Sequence, residues 1–285
     1  MKFNANEYSD TFFDSDLATE RRKADISIPG VKFEKDKEGV FSWERITITS
    51  EEGAKSIGRP CGIYNTFSCQ TMQFLSDSLI EEASSEISAE LCMIFEENCF
   101  KSTRLLIVGL GNYELTPDSI GPKTASKINA TMHIKLMNKE LFSQYDCSEI
   151  AVFTPGVMAQ TGIETLESVL SVCDKISPDA VIAIDSLAAR SHSRLGTTIQ
   201  IADSGIFPGS GLGNHRNPLT KNTLGVPVIA IGVPTVINAR IFAKSNDIKT
   251  EMGYDMFVAP REIDTISNVA SKIISNAINQ SFGIF

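Results

Sequence analysis

Apolar residues along this chain switch between the spacing of strands and the spacing of helices. The segment 31–50 alternates with a period of two around a polar turn at Lys35–Gly39, which predicts a β-hairpin. Helical spacing predicts helices over 71–101, 119–138, 164–176 and 260–282. Short apolar runs predict strands over 105–108, 150–153, 180–184, 197–202 and 226–231. Because helices and buried strands alternate, we expect an α/β protein with a mixed, largely parallel sheet covered on both faces.

Two of the predicted strands lead into an acid followed by small residues. LLIVGLGNYELTPDSIGP, residues 105–122, contains Asp118, and VIAIDSLAARS, residues 181–191, contains Asp185. Ligands of open parallel sheets bind outside the carboxyl ends of the strands, so these two carboxylates could share one site. Two adjacent carboxylates do not both ionise at low cost; one could activate water while its protonated partner protonates a leaving amine. Alternatively, each acid caps a helix, and for Asp185 that helix would open at Ser186.

Bulk composition narrows the class of protein. The chain has 285 residues, 42% hydrophobic and 21% charged, which is enough for a sizeable core. Its net charge of −9 makes direct nucleic-acid binding a poor hypothesis but suits a basic protein partner. The polar start Met1–Asp10 and the lack of a long apolar run predict no signal peptide and no membrane association, hence a cytoplasmic protein. The six cysteines form no C-x-x-C, as expected for reduced, mostly buried thiols.

Other chemical motifs are incomplete. The glycine-rich segment 197–216 and GLGN at 109–112 match no phosphate-binding signature, so a structural or substrate-facing loop is the better interpretation. Without H-E-x-x-H or G-x-S-x-G, we expect no zincin and no serine nucleophile. A metal held by the two aspartates and a histidine remains an alternative, although we expect neither metal nor cofactor. Near the loops lie three arginines that could be solvated or could bind an acidic group of a substrate: Arg190, Arg194 and Arg216.

Several long blocks carry a family resemblance, in order from about Ile57 to Ile237. They are GLGNYELTPDSIGP, TPGVMAQTGIETLE (154–167), VIAIDSLAARS, TTIQIADSGIFPGSGLGNHR (197–216) and TLGVPVIAIGVPTVI (223–237). SDLATE (15–20) and FVAPREID (257–264) add to them. These blocks closely resemble the spore germination protease family.

The resemblance implies an endopeptidase that initiates degradation of small acid-soluble, DNA-binding spore proteins during germination, in the spore core. It implies a homotetramer made as a zymogen. Here the propeptide would be residues 1–16, cut between Asp16 and Leu17, ahead of a single peptidase domain over 17–285. The fold implied is a three-layer α/β sandwich similar to hydrogenase maturation endopeptidases. The functional acids of the family map onto Asp118 in TPD and Asp185 in AID.

This chain departs from the family pattern in three places. Only residues 238–256 separate the GVPTV strand from the last helix, where many relatives carry a long helical insertion. Met132 replaces the arginine of the family's T-R-H, and Asp14-Ser15 stand where the processing region reads R-T before D-L-A. Processing could therefore differ in site or efficiency. Two other functions stay open: a metal-dependent endopeptidase or amidase on the same fold, and a non-catalytic binder of basic proteins.

Overall fold

The structure is a computed structural model that describes residues 28–37, 39–101, 103–208, 217–240 and 256–283. The predicted propeptide with its Asp16–Leu17 bond, and Arg216, lie outside these described residues. Nine strands are present in the described part of the chain: β1 Val31–Lys37, β2 Ser42–Ile48, β3 Gly62–Ser68, β4 Arg104–Gly109, β5 Glu149–Phe153, β6 Ala180–Ala189, β7 Thr198–Ala202, β8 Val228–Asn238 and β9 Phe257–Val258.

Helices occupy most of the connections between strands. In the described residues the α-helices are α1 Glu51–Ile57, α2 Asp77–Glu97, α3 Ile120–Ala125, α4 Met132–Met137, α5 Lys139–Phe142, α6 Met158–Thr161, α7 Thr165–Ile176, α8 Lys221–Leu224 and α9 Ile263–Phe282. Short 3₁₀ turns cover Met72–Phe74, Thr116–Asp118 and His192–Arg194.

One sheet contains all of these strands, in the order β1-β2-β3-β7-β8-β6-β4-β5, with β9 paired to β8. The four strands β8, β6, β4 and β5 run parallel, and the remaining pairs are antiparallel. The predicted mixed α/β sheet is confirmed, and its parallel part is this block of four strands. Because parallel strands end at the same edge, the loops that follow β4 and β5 lie side by side.

Apolar residues cover both faces of the sheet. On one face, even-numbered residues of β6 such as Ile182 and Ile184 pack with α2 and α9. On the other face, Val181 and Ala183 pack with α1, α7 and α8. A strand that is buried on both faces needs apolar residues at every position. This explains the continuous apolar runs LLIV in β4 and VIAI in β6. The predicted three-layer arrangement follows directly from this burial.

The predicted helix over 119–138 is wrong, because the structure divides it into α3 and α4. Between α3 and α4 the backbone N–H groups form hydrogen bonds with neighbouring elements instead of the i→i−4 bonds of a continuous helix. The Thr131 N–H donates to the carbonyl of Ile150 at 3.0 Å, and the Asn129 N–H donates to Asn279 Oδ1 at 3.0 Å. These tertiary bonds replace the helical ones that the apolar spacing had suggested.

Other boundaries also differ from the sequence interpretation. Strand β6 continues to Ala189 and β8 to Asn238, since the two strands pair along their full length with one register shift at Leu187. Asp185 therefore lies inside β6, and the alternative that it caps a helix at Ser186 is wrong. Strand β3 and helix α1 were missed. Helix α1 did carry a signal, an N-cap Ser50 whose hydroxyl accepts from the Gly53 N–H.

Candidate active site

Asp185 is placed by the register of the central strands. Gly109, the last residue of β4, pairs with Ile184, so Asp185 lies one residue beyond the point where β4 ends. Its side chain is only 4% exposed, and its Oδ1 accepts a hydrogen bond from the Ser186 N–H at 2.8 Å. A charge-bearing group with so little solvent contact requires polar partners to remain there. Asp185 is thus a carboxyl group built into the core at the carboxyl edge of the sheet.

Asp118 reaches the same edge from the loop after β4. It closes the 3₁₀ turn Thr116–Asp118 and is half-buried. The Asn112 N–H donates both to Asp118 Oδ2 and to the Asp118 carbonyl, each at 2.9 Å. Gly111 makes this doubling-back feasible: its φ is +109°, and a Cβ there would lie 2.1 Å from the Asp118 carbonyl oxygen. The glycines of GLGN therefore shape the turn that carries Asp118.

Contacts between main chain and side chain bring the two aspartate segments together. Thr235 of β8 is fully buried and donates its hydroxyl to the Pro117 carbonyl at 2.5 Å. The Ile120 N–H donates to Ser186 Oγ at 3.4 Å. Each aspartate is therefore within two residues of a direct bond between the segment 117–120 and the strands β6 and β8. That the two carboxylates share one water molecule stays a prediction.

Arg194 lies away from the aspartates, near the outer strand β2. Arg194 Nη2 lies 3.5 Å from Glu44 Oε2, and both side chains line a cavity of about 500 Å³. In the register of the sheet, Glu44 aligns with Thr66, Gln200, Gly232 and Asp185 on successive strands. At about 4.8 Å per strand, Glu44 is roughly 19 Å from Asp185. Arg190 directly follows β6 and is half-buried.

Several residues of this site carried no interpretable sequence signal. Asn112 donates its backbone N–H to Asp118, and Thr235 donates its hydroxyl to the Pro117 carbonyl. The sequence does not show which residues pair in this way. Gly121 was visible only as part of a Gly-Pro step. Its Cα lies so close to β4 and β6 that an added Cβ would be 2.2 Å from the Leu110 oxygen and 2.5 Å from the Ile184 oxygen. Backbone proximity of this kind is known only once the fold is known.

Two titratable groups with raised pKa values, Glu90 and Tyr64, have structural roles outside the candidate site. Burial raises the pKa of Glu90, although Arg45 Nη2 binds it at 2.5 Å and Asn65 also donates to it. Burial likewise raises the pKa of Tyr64 to about 12, and its hydroxyl donates to the Pro60 carbonyl at 2.9 Å. These groups fix the outer strands to their helices or loops.

The described residues contain neither a candidate metal cluster nor a membrane-spanning helix. In that part of the chain, no three histidine, cysteine, aspartate or glutamate side chains come together as a candidate metal site. None of its helices combines the length and apolarity needed to cross a bilayer.

Comparison with known families gives a match over most of the chain. The family model described as germination protease matches residues 7–249. Germination protease of Clostridium perfringens is 36% identical over 306 residues, which cover 93% of this chain and 93% of that protein. The Bacillus subtilis protein of the same name is 42% identical over 235 residues, covering 79% of this chain and 63% of that protein.

A solved structure also aligns with this chain. It is a nickel–iron hydrogenase maturation protease from Thermococcus kodakarensis, 18% identical, with a TM-score of 0.38. The alignment covers 67% of this chain and 99% of that one.

Proposed function

The chain belongs to the germination protease family and is a peptidase of spore germination, and we propose that it hydrolyses peptide bonds with Asp118 and Asp185 as an acid pair. Two observations support this proposal. The residues matched by the germination protease family model include both aspartates. Hydrogen bonds that join β6 and β8 to the segment 117–120 hold the loop that carries Asp118 next to the strand that carries Asp185.

The proposed reaction needs one carboxylate and one carboxylic acid. The ionised member accepts a proton from a water molecule, which attacks the peptide carbonyl. The protonated member donates to the amine as the C–N bond breaks. A pair of close carboxyl groups holds one proton between them because both do not ionise at low cost. General acid–base catalysis of this kind supplies about 10²–10⁴-fold in rate.

The proposed substrates are small acid-soluble spore proteins. A basic partner would suit an enzyme whose net charge is −9, because the negative field would steer it toward the site. Arg190, Arg194 and Arg216 are proposed to recognise an acidic residue of the substrate. Arg194 does so from a cavity about four strands away from Asp185, so it would bind a part of the substrate distant from the scissile bond.

We propose that the enzyme is made as a zymogen and activated by cleavage between Asp16 and Leu17. Residues 1–16 are polar and carry too few apolar residues to form a core element, so the bond should be accessible to a protease. N-terminal sequencing of the matured protein tests this cleavage. A new N-terminus far from Leu17, or full activity of the uncut chain, would contradict it.

Assembly and location follow the family in this proposal: a homotetramer acting in the cytoplasm of the spore core. Metal-dependent hydrolysis on the same scaffold is the competing mechanism, and a non-catalytic binder of basic proteins is the competing function.

A cleavage assay separates catalysis from binding alone. The chain processed to begin at Leu17 is incubated with a purified small acid-soluble spore protein, and the fragments are identified by mass spectrometry. We expect a few defined internal cuts. An intact substrate that co-sediments with the protein would instead support a binding role and would contradict the proposed function.

A further inference from the structure

Most large apolar side chains of this protein are buried, but four exposed ones lie at one end of the sheet. Tyr113 and Leu115 belong to the loop after β4, and Met158 and Ile163 belong to the segment after β5. Each is about half exposed or more, from 46% to 61%. We call these four residues the apolar rim. Single exposed apolar residues are ordinary, whereas a group on adjacent loops indicates a binding surface.

Hydrogen bonds join the two loops of the apolar rim to each other and to Asp118. Gln160 Nε2 donates to Asn112 Oδ1 at 3.0 Å, which ties the segment after β5 to the loop after β4. The Asn112 N–H in turn donates to the Asp118 carboxylate. On the other side of the turn, the Asp118 N–H donates to the Leu115 carbonyl at 2.7 Å. The rim is therefore continuous with the candidate active site.

We propose that the apolar rim binds an apolar side chain of an extended peptide substrate, close to the bond that Asp118 and Asp185 cleave. The inference rests on the proposed function and adds a specificity-determining surface to it. A substrate peptide must cross the carboxyl edge of β4 and β6 to reach both aspartates, and the loops after β4 and β5 flank that path. An apolar side chain that leaves water for the rim gains binding free energy roughly in proportion to the buried area.

The size of the rim favours a peptide over a second copy of the chain. A large side chain buries about 150–250 Å² when fully covered, and these four are already half covered. The rim thus offers roughly 300–500 Å², whereas each partner in a stable dimer contributes about 800 Å². A short peptide segment needs only one or two such contacts. The rim matches the smaller ligand.

The test combines Tyr113→Ser with Ile163→Ser in the chain processed to begin at Leu17. Leu136→Ser is the matched control, because Leu136 is 80% exposed on α4. Thr131, just before α4, bonds to Ile150 near the amino end of β5, so α4 begins at the opposite end of that strand from the rim. All variants are checked by thermal unfolding, since exposed positions should tolerate serine with little loss of stability.

Two readouts decide the proposal. With a small acid-soluble spore protein, we expect the double variant to raise KM about tenfold or more while kcat changes little, and the control to match wild type. The second readout is the Kd for reduced, carboxymethylated α-lactalbumin, an unfolded probe with apolar side chains. It is measured in the Asp185→Asn background so that the probe stays intact, and the double variant should weaken it to a similar extent.

Three results would overturn the proposal. They are equal Kd values for the double variant and its parent, no binding by the parent, and a change of sedimentation coefficient in the double variant alone. The last would show that the rim is a contact between copies of the chain. If the processed wild-type chain fails to cleave the spore protein, the proposed function fails, and the binding readout still decides the role of the rim.

Discussion

Replacing Gly121 by alanine is the sharpest structural test of how the aspartates are positioned. Gly121 lies in the first turn of α3, three residues after Asp118, and it touches the backbones of both β4 and β6. An alanine Cβ would meet Leu110 O at 2.2 Å, Leu110 N at 2.4 Å and Ile184 O at 2.5 Å. Ordinary carbon–oxygen contacts are about 1 Å longer, and all three obstacles are backbone atoms. The start of α3 must therefore move away from the sheet.

This movement should lower both the stability of the protein and its catalytic rate. Overpacking of this kind costs about 1–3 kcal/mol of the free energy of unfolding. A displacement of about 1 Å in a catalytic group can cost about 10²-fold in rate, because the reacting atoms are no longer aligned. Urea unfolding followed by Trp43, the single tryptophan, measures the first effect. Cleavage of a small acid-soluble spore protein, well below the unfolding midpoint, measures the second.

Gly225→Ala provides the matched control. Gly225 has a φ of +75°, and a Cβ there would meet nothing within 4 Å. Alanine in this left-handed conformation costs about 1–2 kcal/mol without displacing the aspartates. We expect Gly225→Ala to lose stability but keep its specific activity. If Gly121→Ala keeps both its unfolding midpoint and its activity, the close approach of α3 to the sheet does not position Asp118 and the reasoning is refuted.

Three further results are expected. Thr235→Val leaves the Pro117 carbonyl without its donor and should cost about 1–3 kcal/mol by urea unfolding and lower activity. Thr235→Ser keeps the hydroxyl and loses only a buried methyl group, so it should cost about 1 kcal/mol or less and keep its activity. Burial opposes the charge on Glu149, but Lys135 and Arg104 outweigh it and hold its pKa below the usual range. Glu149→Gln should therefore cost about 1–2 kcal/mol at neutral pH, and the gap should close as pH falls through that lowered pKa, where the wild-type carboxyl is also neutral. Activity should survive exhaustive dialysis against EDTA, and stoichiometric metal required for activity would contradict this.

Much of the fold could be predicted because burial on two faces leaves a strong trace in the sequence. Continuous apolar runs identified β4 and β6, and apolar residues at helical spacing identified α2, α7 and α9. The elements that failed depend on distant partners. The helix over 119–138 is interrupted because Thr131 and Asn129 bond to β5 and α9, and periodicity within a segment does not report such bonds.

The candidate site was only partly visible for the same reason. Asp185 stood out because an acid directly after apolar residues is costly unless it is paired or used, and Asp118 stood out because it follows the other apolar run. Their relative placement depends on Thr235 and Ser186, which are unremarkable residues until the strands are assembled. The grouping of Arg194 with the aspartates rested on closeness in sequence. In the structure β7 lies between β3 and β8, and the Arg194 side chain lies beside Glu44 of β2.

The central claim is that Asp118 and Asp185 both carry the chemistry, and kcat of the two asparagine variants tests it most directly. Asp174→Asn on the exposed side of α7 is the matched control. Asparagine keeps the size of each side chain but can neither accept the proton of water nor donate one as an acid. We predict that Asp118→Asn and Asp185→Asn each lower kcat at least about 10²-fold with folding intact, and that Asp174→Asn leaves it unchanged. Near-wild-type turnover in either site variant would contradict the account.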